Sequence, residues 1–77
     1  MYYHSVSIPV DNENDVRRAD RIVKGFCFKN RLFLDDPFNR ATHKEYHFLG
    51  AAKFEGYIVN ELKKANINVI STEKEEQ

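Results

Sequence analysis

One cysteine, two prolines, three glycines and no tryptophan occur among the 77 residues. A lone thiol, Cys27, can neither close an intramolecular disulfide nor supply a zinc cluster. A reducing cytoplasm is therefore the expected setting. So few prolines and glycines, beside 42% hydrophobic residues, exclude a collagen-like or disordered chain. No apolar run approaches the roughly 20 residues of a membrane span. The opening Met1-Tyr2-Tyr3-His4 lacks the basic-then-apolar pattern of a secretory leader. Net charge is absent too, with 12 Lys and Arg against 12 Asp and Glu. That balance argues against gripping duplex DNA by bulk electrostatics, and equally against an acidic mimic of nucleic acid.

What is present suffices for one small fold. The chain is 13% aromatic and 31% charged. A domain of this size buries only about 60% of its unfolded surface. No repeat or linker divides it. The expected organisation is one domain over residues 1–71 and an acidic tail without fixed structure over residues 72–77.

Along residues 2–10, Tyr2, His4, Val6, Ile8 and Val10 alternate with Tyr3, Ser5, Ser7 and Pro9, as in a half-buried strand. Pro9 ends that strand or puts it at an edge. The polar run Asp11 to Asp15 supplies N-caps. Val16, Ala19, Val23 and Phe26 then predict a helix over about 14–24, which Gly25 would terminate. Phe26 and Phe28, then Leu32 and Leu34, alternate over 26–34 as one strand or two short ones. Asp35-Asp36-Pro37 closes that segment. Thr42 and Glu45 form a capping box, which favours a helix from His43. The competing strand over 43–49 reads as broken around Tyr46 and Phe48. Ala51, Phe54, Ile58, Leu62 and Ala65 predict a helix over 51–65 that Asn66 ends. Gly50 and Gly56 weaken it and point to close packing against another backbone. Ile67, Val69 and Ile70 make a short final strand.

The expected fold is α+β: a small single-layer sheet of three to four short strands, with two helices packed on one face. If 43–49 were a strand, the order would be the ferredoxin-like β-α-β-β-α-β.

The largest charge asymmetry lies in residues 17–31, where Arg17, Arg18, Arg21, Lys24, Lys29 and Arg31 face only Asp20. Such a stripe engages phosphates or an acidic protein surface. Its bland counterpart is a solvated face paired with local acids. Within it, Lys24-Gly25-Phe26-Cys27-Phe28 resembles the first half of the ribonucleoprotein signature of RNA-recognition motifs. The resemblance implies aromatics on a sheet that stack bases. Lys29-Asn30-Arg31 departs from that signature's ending, and Phe26 and Phe28 serve equally as core. Pro37-Phe38 followed by Phe48-Leu49-Gly50 is similar to the C-terminal half of ribosome modulation factor. That family is basic and helical, and no ribosome-binding residue is carried across.

His43 and His47 would share a helical face, but their order around Glu45 is not that of zinc peptidases, so no metal is assigned. Cys27 between two phenylalanines reads as a dulled thiol. No Gly-x-Ser-x-Gly, phosphate loop or Gly-x-Gly-x-x-Gly occurs, so neither an enzyme nor a cofactor is expected.

The expected function is a small non-enzymatic protein that inhibits, adapts or regulates a larger protein by contact. Arg17, Arg18, Arg21, Lys24, Tyr46 and Tyr57 are the anchors, since Tyr and Arg dominate interface energetics. Tyr2, Tyr3 and Phe38 are further aromatics expected at the surface. A homo-oligomer is the second partner considered, through open sheet edges. The alternative is a single-stranded nucleic-acid module using Arg17, Arg21, Lys24, Phe26, Phe28, Lys29 and Arg31.

Overall fold

The computed structural model describes residues 1–76. The elements are β1 (Tyr2–Pro9), α1 (Glu13–Lys29), β2 (Phe33–Leu34), β3 (Phe38–Asn39), β4 (His43–Gly50), α2 (Glu55–Lys64) and β5 (Ser71–Glu76). One antiparallel sheet runs in the order β2-β4-β1-β5, and β3 also pairs with β4. Both helices pack on one face of it. This is the expected α+β class, and its strand order is that of the ferredoxin-like alternative.

Pairing of β1 with β4 extends from Tyr2 opposite Gly50 to Pro9 opposite His43. Side chains alternate across a strand. His4, Val6 and Ile8 thus share the helix-covered face with Phe48, Tyr46 and Lys44. The core is built there: Val6, Ile8, Tyr46 and Phe48 meet Ala19, Val23 and Cys27 of α1 and Ile58 and Leu62 of α2. Pro9 closes β1, which is a central strand rather than an edge.

The expected helix at His43 is corrected to strand β4. Tyr46 and Phe48 lie two residues apart, so an extended chain puts both in the core, and β1 supplies the backbone partners. The capping box does not form. Glu45 accepts from His43 and Arg40, while Thr42 Oγ1 meets His43 Nδ1 at 3.1 Å. With Phe48-Leu49-Gly50 extended, the likeness to a helical ribosome-binding family loses its structural basis.

Helix α1 is capped by the Asn12 carboxamide, which accepts from the backbone N–H groups of Asn14 and Asp15 at 3.0 and 3.2 Å. It does not stop at Gly25, and 26–29 are helical rather than strand. The spacing Ala19, Val23, Cys27 continues the buried stripe beyond the glycine, and that burial outweighs the glycine's cost of about 1 kcal/mol. The helix ends instead in a Schellman motif. Arg31 takes a left-handed φ of 57°, and the Leu32 N–H donates to the Cys27 carbonyl at 2.8 Å. Helix α2 ends the same way. Asn66 has φ 60°, and the Ile67 N–H donates to Leu62 at 3.0 Å. Residues 51–54 precede α2 rather than belong to it.

β2 and β3 form one bent strand along the outer edge of β4. Phe33 pairs Leu49 and Leu34 pairs Phe48, whereas Phe38 pairs Glu45 and Asn39 pairs Lys44. The register slips by one residue between them, at Asp36-Pro37, where proline removes a ladder donor.

The final strand is not Ile67 to Ile70. Ile67 is core, and the Ile70 N–H starts the pairing by donating to Ser7 O at 2.8 Å. The segment 72–76, expected to be without structure, instead forms most of β5 along β1, while Gln77 lies outside the described residues. Backbone pairing is indifferent to the acidic composition that suggested a tail.

Space, not conformation, separates the glycines. A methyl at Gly50 would collide with the Leu32 side chain and stand 3.3 Å from Phe54, so side chains rather than another backbone crowd it. At Gly25 and Gly56 it would meet nothing within 4 Å. Gly25→Ala should therefore stabilise the fold by about 0.5–1 kcal/mol, and Gly50→Ala should destabilise it by about 1–3 kcal/mol. Urea melts of the two variants check the opposite signs.

Candidate functional site

The basic stripe of α1 divides into paired and unpaired cations. Arg17 Nη2 lies 3.7 Å from Glu13, Arg18 Nη1 3.0 Å from Asp15, and Lys24 Nζ 2.8 Å from Asp20. Arg18 Nη2 also donates to the Ala65 carbonyl, tying α1 to the end of α2. Arg21, Lys29 and Arg31 have no ion-pair partner among the described residues.

Asp20 is the local hub. It also takes Lys44 Nζ at 3.3 Å and the Tyr46 hydroxyl at 3.4 Å. Burial works to raise its pKa, but hydrogen bonds from Lys24 and Lys44, with their charges, hold it below the ordinary aspartate value. Burial pushes the Tyr46 hydroxyl well above the usual tyrosine range, and the Asp20 charge adds to it. Tyr46 is completely buried and is not an interface anchor. Its ring fills the core, with the hydroxyl satisfied from α1. Burial likewise pushes the Cys27 thiol up to about 11.

Phe26 and Phe28 leave the sheet altogether. Two residues apart on a helix, they point in different directions, so they cannot form the paired stacking platform of the ribonucleoprotein signature. Phe26 is half-buried and meets Phe54 edge-on at 6.0 Å. Phe28 stands 89% exposed. Tyr57, on α2, is 64% exposed and its ring lies 6.5 Å from Phe54.

A groove of about 420 Å³ lies between the last turn of α1 and α2, and Phe28 is not part of its lining. Phe26, Phe54 and Tyr57 line it together with Lys29 and Lys64. A neighbouring hollow of about 370 Å³ shares Phe26, Lys29 and Glu61 and continues past Gly25 to Arg21. The sequence reading missed Phe54 and Lys64, because the two helices meet only in the tertiary fold.

A second cluster occupies the sheet face without helices. Glu45 is at its centre, with His43 Nε2 at 2.8 Å, Arg40 Nε at 3.1 Å and His47 Nε2 at 3.3 Å. The Tyr3 hydroxyl pairs with His47 Nδ1. Phe38 packs on the His47 ring at 4.6 Å, with the Arg40 guanidinium 5.4 Å from the Phe38 ring. Hydroxyl, imidazole and carboxylate thus stand in the order of an acid–base relay. The grooves between α1 and α2 border other residues. Through Phe38 on His47 and Arg40 on Glu45, the cluster joins the β3 edge to β4. Among the described residues no three His, Cys, Asp or Glu side chains are grouped as ligands for a metal ion. A period-two reading of His43, Glu45 and His47 would have found the cluster.

Comparison with protein-family models, characterised proteins and solved structures gives no match. Among the described residues no helix is long and apolar enough to cross a membrane.

Hydrogen bonds from His43 first, then Arg40, hold the Glu45 carboxyl below the ordinary glutamate range. A carboxyl so depressed stabilises the fold above its unfolded pKa of about 4.3, and that stabilisation is lost as pH falls through the folded value. Glu45→Gln should therefore lower stability at neutral pH and flatten its fall below about pH 4.3. Thermal melting across pH 3 to 7 checks it; parallel curves for variant and parent would refute the role given to Glu45.

Proposed function

We propose that this chain is a small, non-enzymatic binding protein that acts by contact with a larger protein, as an inhibitor, adaptor or regulator. The observation that carries the reading is Phe28, 89% exposed at the end of the α1 face that also bears Arg17, Arg21 and Lys24. Burying such a ring in a complex is worth about 2–3 kcal/mol. Aromatic residues beside arginine are the usual anchors of interfaces. Tyr57, which lines the groove from α2, adds a second exposed ring to the helix layer. A cytoplasmic setting fits a chain whose one cysteine is a buried thiol.

The single-stranded nucleic-acid reading keeps Arg17, Arg21, Lys24, Lys29 and Arg31 but loses its stacking pair. Three carboxylates also already answer cations of the stripe, which weakens the pull on a phosphate backbone.

The test is affinity capture from a lysate of the source cells, divided into nuclease-treated and untreated halves. One protein should be retained stoichiometrically in both halves and lost when Phe28→Ser and Tyr57→Ser are combined. Both residues are exposed, so the variant should melt with the parent. Recovery abolished by nuclease would overturn the protein-contact reading, and retention by the double variant would overturn the surface assigned.

A further inference from the structure

We propose that the trough between α1 and α2 seats an acidic peptide segment of the partner, with one apolar side chain held among Phe26, Phe54 and Tyr57. This rests on the protein-contact reading and names the chemistry of what is contacted.

Charge selects the occupant. The stripe's cations that already have carboxylate partners, Arg17, Arg18 and Lys24, do not line the trough. Arg21 and Lys29 do line it, and neither has an ion-pair partner among the described residues. Lys64 stands on the α2 side, 74% exposed, with only a loose 4.0 Å approach to Glu61. Glu61 is the one carboxylate in the lining among the described residues. Cations on both walls around an aromatic floor ask for carboxylates flanking an apolar group.

Shape selects a chain rather than a compact ligand. The two hollows share Phe26, Lys29 and Glu61, so they join into one open furrow along α1. Gly25 lies on its course, and the absent side chain leaves open space there. A helix-interior glycine that costs stability thus keeps the furrow clear.

The probe is a short synthetic peptide of glutamates flanking one central phenylalanine, titrated into the full-length protein and followed by amide chemical shifts. Saturable shifts should centre on Phe26, Lys29 and Tyr57. Replacing the peptide's phenylalanine with serine, or reversing Lys29 and Lys64 together (Lys29→Glu, Lys64→Glu), should weaken binding about tenfold. Gly25→Gln should also weaken it while raising the melting temperature, a combination that a damaged fold cannot produce. No saturable shift, shifts on the open sheet face, or equal binding of a lysine-flanked peptide would overturn the proposal. Oligothymidylate producing the same shifts at lower concentration would overturn it in favour of nucleic acid. If the peptide fails while lysate capture still depends on Phe28 and Tyr57, the trough assignment falls and the protein-contact reading stands.

Discussion

Antiparallel pairing of β1 with β4 carries His4, Val6 and Ile8 opposite Phe48, Tyr46 and Lys44, and so makes one apolar sheet face from two polar-looking strands. Both helices are arranged on that face. Ala19, Val23 and Cys27 bring α1 onto it, and Ile58 and Leu62 bring α2. Each helix then stops where a left-handed residue, Arg31 or Asn66, turns the next apolar side chain back into the same core. The core is small, so each buried side chain matters, and deletion of one typically costs several kcal/mol against a total near 5–15.

Two carboxylates hold the edges of this arrangement. Asp20 reaches from α1 to Lys44 and Tyr46 of β4, linking the helix layer to the sheet by polar contacts over an apolar interior. Glu45 does the equivalent on the opposite face, gathering Arg40 and two histidines beneath the bent β2–β3 edge. Both carboxyls are held below their ordinary ranges, which is the electrostatic expression of carrying several donors at once.

The basic residues of the α1 segment fall into two sets. A stripe of six basic residues looks uniform in the sequence, yet half of it is neutralised within one helical turn by Glu13, Asp15 and Asp20. Of the remainder, Arg21 and Lys29 border the groove where Phe26 of α1 meets Phe54 at the start of α2, and Arg31 does not.

Sequence alone determined the α+β class, both helices in outline, strand β1 and the core stripe of α1, because apolar periodicity is a local property. It also identified Asn12 as lying in a capping segment and Asn66 as a helix end, since side-chain caps and left-handed tolerance are local. It misassigned His43–Gly50, where a real capping-box pattern competed with a two-residue alternation that only the partner strand β1 rewards. It placed Phe26 and Phe28 on a strand because alternation over three residues cannot be told from a helix's last turn. It put Tyr46 on the surface, since nothing local reveals which tyrosine finds Asp20. Only tertiary structure decided the pairing of β5, the hub at Glu45 and the furrow between α1 and α2. Each depends on groups far apart in the chain, whose meeting is set by burial and backbone pairing rather than by local preference.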